Sequence, residues 1–478
     1  MLKRKTAIAT NRFGLGARPG DASRIGAEAE SWLETQLAGE DSASSPGARP
    51  ESAAVLEEVT RLRLARQAVQ AAARNQAIEA DQDSIREYVR FIAQSYQRQA
   101  AMGYAAAIRS DQPFRERLVR FWENHFAVSA DKQPVGAIAG HYREEAIRPH
   151  VTGNFVDLLT AVVRHPAMLL YLDNGQSIGP DSMLGRAASR NRNRRAGLNE
   201  NLAREILELH TLGVGGGYTQ DDVIEFSKTL TGWSVGGAGG ADRMGAALRR
   251  VTGSSDAGAP GEFTFRGGIH EPGARTILGT RFSEAGVEQA EAVLAFLAAQ
   301  PQTARFLATK LARHFVADEP PPALVDRLTR TYLESGGELV PVYRELVRAR
   351  ECWADPLTKY KTPQDFLVST FRAIGTSPRG SNIVGIATQL GQRPLTPGSP
   401  AGWPDIAANW NGGDALLKRI EWATQVGASV GDRIDAVARL DEVLGETASS
   451  ATRQGVARAE SGAQAIALLI SAPEFQRR

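Results

Sequence analysis

"NENLAREILELHTLGVGGGYTQDDVIEFSKTLTGW", residues 199–233, decides the fold class. Leu202, Ile206 and Leu209 recur at four- and three-residue steps, the spacing of one helix face. Glu200, Asn201, Arg204, Glu205 and Glu208 fall on the opposite side. Gly213 is placed to end this helix in a left-handed conformation. Thr219 with Asp222 three residues on has the form of a capping box that starts the next helix. Two helices joined by a glycine turn are therefore expected. Gly215–Gly217 read as that turn and not as a phosphate cradle, because Asp221 and Asp222 in the following helical turn would repel an anion.

The same period dominates outward in both directions. It predicts helices over 26–38, 113–126, 134–148, 154–171, 284–299, 302–316, 322–334, 339–349, 363–374, 413–427 and 459–471, and two long ones within 51–110. Strand signals are confined to "EFTFR" (262–266) and "RTILG" (275–279), both flanked by glycine. The expected architecture is mainly α: a single large multi-helix domain with a small two-stranded β insertion around 262–279. Its expected parts are an N-terminal helix and loop (1–50), a long helical hairpin (51–112) and a main helical domain (113–478). The Arg-rich stretch 185–197 and the Gly/Ala-rich stretch 234–261 read as mobile loops.

Composition excludes more than it identifies. The 478 residues carry a net charge of +2 with 23% charged, which gives no reason to expect nucleic acid. The single cysteine, Cys352, excludes an internal disulfide framework. No apolar run has the length of a transmembrane helix, and the N-terminal twenty residues lack the apolar middle of a signal peptide, so the sequence alone points to the cytoplasm.

Candidate chemistry centres on the opening stretch. Asn201, Glu205 and Glu208 form a polar strip with Arg204 beside Glu200 and Glu208, which reads either as a solvated ion-pair face or as the wall of a polar centre. Glu208 and His210 project about 160° apart, so this helix alone cannot offer both to one metal ion. His125, one turn beyond Phe121 and Trp122, reads as a core histidine or a ligand. His270 and Glu271 lie in a loop between the strand signals. Lys310 and His314 stand one turn apart on a helix whose other face is Phe306, Leu307, Leu311 and Phe315. No Gly-x-Ser-x-Gly elbow, dinucleotide fingerprint or His-Glu-x-x-His is present.

The ordered motifs "RFWENHF", "YREEAIRPH", "HPAMLLYLDN", the 199–233 block, "HEPGARTILG", "ARFLATKLARHFV" and "GWP" resemble the bacterial family catalogued as domain of unknown function 1800. The resemblance runs from Arg12 almost to the C-terminus. It implies motif positions at Asn124, His125, Asn199, Glu200, Asn201, Arg204, Glu205, Glu208, His210, Thr219, Asp222, Trp233, His270 and Lys310. The chain departs from the family pattern at Glu271, where Asp is expected, and at Arg275, where Lys is expected.

Two functions compete. In the first, the protein is a hydrolase- or lyase-type enzyme on a polar, sugar-like or anionic substrate. Glu205, Glu208, His270 and His125 are its acid–base candidates. Asn199, Asn201, Arg204, Lys310 and Trp233 are its substrate-binding candidates. His125, His270 and Glu271 could hold a divalent metal, with Zn²⁺, Mn²⁺ or Fe²⁺ favoured by mixed N/O ligands. This reading expects His125, the 199–208 strip and the His270 loop to converge, and Glu205→Gln to hurt more than Glu200→Gln. In the second, the resemblance implies a non-catalytic partner or maturation factor for a phosphatase/sulfatase-like protein of family 1501. Genes for that family often adjoin those of the 1800 family, and a twin-arginine signal on such a partner would allow periplasmic co-export.

Overall fold

The computed structural model describes residues 2–38, 51–76, 82–190, 197–237, 239–253, 258–354, 357–376 and 382–478. The architecture is mainly α, with two small two-stranded antiparallel sheets. Helices α1 (Glu51–Gln76) and α2 (Gln82–Arg109) form the expected hairpin, and α3 (Pro113–His125) follows directly. Pro113 opens α3 at the position where a missing N–H costs nothing. Phe114, Leu118, Phe121 and Trp122 are buried along it, but so are Arg115, Glu116 and Arg117, so α3 runs through the middle of the protein. Its charges are met internally: Arg148 pairs with Glu116 at 2.7 Å, and Arg117 reaches Gly14 O and Asp365.

The 154–171 stretch is helical on both sides of the corner that His165 and Pro166 suggest, giving α4 (Phe155–Arg164) and α5 (Pro166–Tyr171). His165 Nδ1 accepts the Ala167 N–H at 3.1 Å and caps the second piece. The expected 134–148 helix is instead a chain of short turns, of which only Ala139–Tyr142 is α-helical.

The opening stretch folds as read. Helix α6 (Asn201–Glu205) continues through a wider π turn at Ile206–His210, and Gly213 follows at φ +84°. A Cβ on Gly213 would stand 2.8 Å from the Phe306 ring, so bareness is needed there for space as well as conformation. Thr219 and Asp222 form the capping box of α7 (Gln220–Thr229). Asp222 Oδ1 also accepts the Leu278 N–H at 2.7 Å, tying the helix start to the nearby ribbon.

Both expected strands form, but each finds a different partner from the one expected. β2 (Phe263–Phe265) pairs with β1 (Trp233–Val235), and β3 (Arg275–Ile277) pairs with β4 (Thr280–Phe282). The cause is a two-residue turn at Leu278 and Gly279, both at positive φ, the geometry that matches the twist of a tight hairpin. The 234–261 stretch, expected as a loop, contains helix α8 (Gly239–Thr252). Leu248 anchors it against Leu184 and Ile269. A helix at Met183–Ser189 occupies the start of the Arg-rich stretch; 191–196 lie outside the described residues.

Helices α9 (Pro301–Phe315), α10 (Pro363–Ile374), α11 (Gly413–Val430) and α12 (Gly462–Ser471) complete the frame used below. Helices at Asn382–Gln389, Ala436–Val443 and Ser450–Ala457 had no counterpart in the sequence reading. The buried apolar side chains form two main clusters. One gathers α3, α4, α6, α7 and α9; the other gathers α10, α11 and α12. Helix α2 belongs to both, giving Tyr88 and Ile92 to the first and Tyr96, Ala100 and Tyr104 to the second. Among the described residues no helix is long and apolar enough to cross a membrane.

Candidate active site

The opening stretch does not gather the residues expected to join it. Arg204 lies between Glu200 at 3.0 Å and Glu208 at 3.3 Å, and Gln220 of α7 bonds both Arg204 and Glu200. All three ionic side chains are about one-third exposed, so this is a solvent-washed ladder between two helices. Glu205 is half-buried with no hydrogen-bond or ionic partner among the described residues. Burial, then the neighbouring Glu208, raises its carboxyl pKa. Asn199 spends its amide on the carbonyls of Leu172 and Asp173 and on the Asn201 N–H, while Asn201 itself is exposed. Trp233 is fully buried against Phe263, out of reach of a ligand from solvent.

The 270 loop is anchored on its own. His270 Nδ1 donates to Thr231 O at 2.8 Å, and Glu271 is buried with Oε2 accepting the Asp181 N–H at 2.7 Å. No hydrogen bond or ring contact joins His270 to His125 or to the strip among the described residues. Among those residues, too, no group of three or more His, Cys, Asp or Glu is arranged to hold a metal ion.

His125 and Lys310 do meet, in a different place. A pocket opens at the seam between the two apolar clusters, with about 1320 Å³ of empty space including the solvent at its mouth. Its walls are the α3 face from Arg117 to His125, Lys310 and His314 of α9, Tyr104 of α2, Asp365 of α10, Arg143, and the 401–405 loop. Asn124 holds that loop by imitating a strand neighbour. Its Nδ2 donates to Trp403 O at 2.9 Å, and its Oδ1 accepts the Trp403 N–H at 2.7 Å. Gly402 at φ +80° makes this approach possible, since a Cβ there would stand 2.2 Å from Asn124 O.

Asp405, two residues beyond Trp403, accepts from His314 Nδ1 at 2.6 Å. A carboxylate only accepts, so the proton sits on Nδ1 and the lone pair on Nε2. That Nε2 is buried, with no hydrogen-bond partner among the described residues. Burial pushes the His314 pKa down to about 4, with Asp405 opposing and Arg478 reinforcing the shift. Burial alone would raise the Asp405 carboxyl, but His314, Arg478 and Lys359 outweigh it and hold it well below the usual carboxylate range. Lys359 Nζ lies 3.3 Å from Asp405 Oδ1 and 2.6 Å from Asp318. Arg478 forms an ion pair with Asp365, Nε standing 2.9 Å from its carboxylate, and Nη2 reaches Asp405 at 3.3 Å.

Two more groups face this dyad. His125 Nε2 meets the His210 carbonyl at 3.1 Å, which makes Nε2 the donor and leaves Nδ1 a buried acceptor without a partner. Burial, with Lys310 and His210 adding, holds its pKa well below 6.5. Lys310 has no hydrogen bond or ion pair among the described residues; its Nζ lies 5.5 Å from the centroid of the Phe306 ring. Burial pushes its pKa down to about 8, against Asp405 and with Arg313. The pocket thus holds a neutral, carboxylate-oriented imidazole, a second neutral imidazole and an unpaired amine. Its walls carry five Lys and Arg side chains against three carboxylates, which favours an anionic guest.

A single family model, described as "Protein of unknown function (DUF1800)", matches residues 8–477. The chain belongs to the DUF1800 family. No curated protein and no solved structure gives a significant match. In this DUF1800 protein the pocket is assembled from the motifs "RFWENHF", "ARFLATKLARHFV" and "GWP", together with Arg143 of "YREEAIRPH". Sequence reasoning missed Asp405, Asp365, Tyr104 and Arg120. Asp405 directly follows the quoted "GWP", and its charge beside an aromatic-proline loop was the available signal.

Proposed function

We propose that the seam pocket is the functional centre and performs acid–base chemistry of the hydrolase or lyase type on a small polar, anionic substrate. The observation that carries this reading is the Asp405–His314 pair at 2.6 Å, with His314 Nε2 buried, unpartnered and lining the pocket. Asp405 fixes the tautomer, so Nε2 is the atom that takes or returns a proton. Lys310 supplies an uncompensated positive charge for the substrate's anionic group, and His125 Nδ1 offers a second acceptor. The Asn124–Trp403 clasp positions the Asp405 loop.

The test is a ligand-observed NMR screen of small carboxylates and organophosphates on the wild type, Lys310→Met and His314→Gln. Anionic compounds should bind the wild type, lose at least tenfold in affinity in Lys310→Met, and be turned over in a way that His314→Gln abolishes. Equal binding of anions by the wild type and Lys310→Met would sink the reading.

A second reading, a complex with the phosphatase-like neighbour, is favoured by one observation. Leu416, Leu417 and Ile420 stand 43%, 54% and 44% exposed on α11, an apolar patch unusual on a free surface. Co-purification of tagged pairs tests it, and Leu417→Glu should weaken the complex if it forms there.

A further inference from the structure

We propose that Lys310 is an amine nucleophile that forms an imine with an anionic aldehyde or ketone bound in the seam pocket. This deepens the acid–base reading and rests on it: the anionic guest becomes a carbonyl compound, and the lysine bonds to it covalently.

Three features of the geometry support the assignment. Buried Lys359 finds the carboxylates of Asp318 and Asp405. Lys310, half-buried, finds none among the described residues, although Asp405 belongs to the same pocket. Its Nζ lies over the Phe306 ring, while His314, one turn further along α9, and His125 line the pocket and have nitrogens unpartnered among the described residues. An anion holder is also available elsewhere on the wall. Among the described residues Arg120 has no carboxylate within ion-pair distance; its guanidinium stands 5.3 Å from the centroid of the Tyr104 ring and makes 3.4 Å contacts with Gln364 and Gly103 O. Its Nε and the Tyr104 hydroxyl are buried and unpartnered. The Lys310 ammonium thus attracts the guest's charge, and Arg120 and Tyr104 keep hold of that charge once the amine has lost its proton and reacts. Burial adds to this by leaving far more of the amine uncharged near neutral pH than an exposed lysine would.

The step balances without a redox partner. The neutral Nζ attacks the carbonyl carbon, the C–N bond forms, and the π pair moves to oxygen. The attacking nitrogen then passes one proton to that oxygen, giving the carbinolamine. His314 Nε2, holding the proton that the ammonium lost before the attack, gives it to the hydroxyl, which leaves as water as the C=N bond forms. Overall, ammonium and carbonyl give iminium and water.

The chain has eight lysines, so labelling can be mapped completely. The full-length protein is mixed at pH 7.5 with pyridoxal 5′-phosphate or glyoxylate, reduced with borohydride, digested and analysed by mass spectrometry. Lys310 should be modified at least tenfold faster than Lys3, Lys5 or Lys418, since its pKa is lowered to about 8 and the pocket gathers the anionic carbonyl compound beside it. Lys310→Arg keeps the cation and should abolish the adduct there. His314→Gln should slow its formation about tenfold. Binding of inorganic phosphate, measured by calorimetry, separates the two readings. Phosphate bound with no adduct on Lys310 overturns the amine nucleophile and leaves the acid–base pocket standing. No phosphate binding and no adduct overturns both. Labelling spread evenly over the exposed lysines overturns the proposal, whereas a selective Lys310 adduct supports it in either case.

Discussion

Helices α6 and α9 each carry a cation and a histidine, yet the protein treats them in opposite ways. On α6, Arg204 meets two glutamates and a glutamine at a surface open to water, and His210 is sealed in the core. On α9, Lys310 meets no anion among the described residues while half-buried, and His314 is oriented by Asp405 with one nitrogen left over. The first arrangement satisfies its charges locally and has little left to offer a ligand. The second leaves donors and acceptors unmet in a place with room for a guest. A dense run of charged residues is thus a poor marker of chemistry, and an unpaired group held in place is a better one.

This contrast can be broken by experiment, starting where the effect is largest. Asp405→Ala strips His314, Arg478 and Lys359 of their shared carboxylate and leaves two buried cations with one carboxylate fewer between them. A loss of about 3–5 kcal/mol in urea unfolding is expected; a loss below 1 kcal/mol would mean the network is dispensable. Asn124→Ala removes both bonds to Trp403 and should cost about 2 kcal/mol, with ligand binding weakened in parallel.

Acid titration sharpens the comparison for the buried histidines. His314 and His210 have pKa values lowered to about 4 and about 3. Between those values and the unfolded value near 6.5, the unfolded chain binds protons that the native state excludes. Stability therefore falls as pH drops from about 6.5 towards 4, by up to about 1.4 kcal/mol per pH unit for each histidine. His314→Gln should flatten that slope by one proton; an unchanged slope would show that the imidazole is already charged in the native state.

Lys310→Met should stabilise the protein by about 1 kcal/mol while removing ligand binding, because an unpaired cation leaves the interior. Thermal melts with and without phosphate would show both effects. The smallest changes belong to the α6 ladder: Arg204→Ala should cost under about 1 kcal/mol and leave binding intact. Glu205→Gln should be neutral or slightly stabilising, because burial disfavours a carboxylate that has no partner. The sequence pattern predicts the reverse for Glu205, so this variant separates pattern from environment.

Helical periodicity made most of the fold legible, since an apolar stripe needs only local spacing to be seen. Strand pairing was not legible, because Leu278 at φ +50° makes a hairpin turn with a residue that rarely makes one. Helix α8 was hidden by glycine and alanine, its hold on the protein resting on Leu248 against Leu184 and Ile269. Of the pocket, His125, Lys310 and His314 could be noticed on their helices. Their relation to Asp405, Asp365, Tyr104 and Arg120 could not, because those residues arrive from separate helices and loops with no shared period. The α6 strip drew attention through density, and density does not tell whether charges already neutralise one another.

Helix α2, shared between the two apolar clusters, gives the pocket a particular vulnerability. A cavity roofed by one cluster and floored by the other exists only while both are folded and in register. If denaturant melts the α10–α12 cluster before the rest, the pocket vanishes at that first step, although most helices persist. Ligand affinity would then report the weaker half of the molecule, and helical signal the stronger.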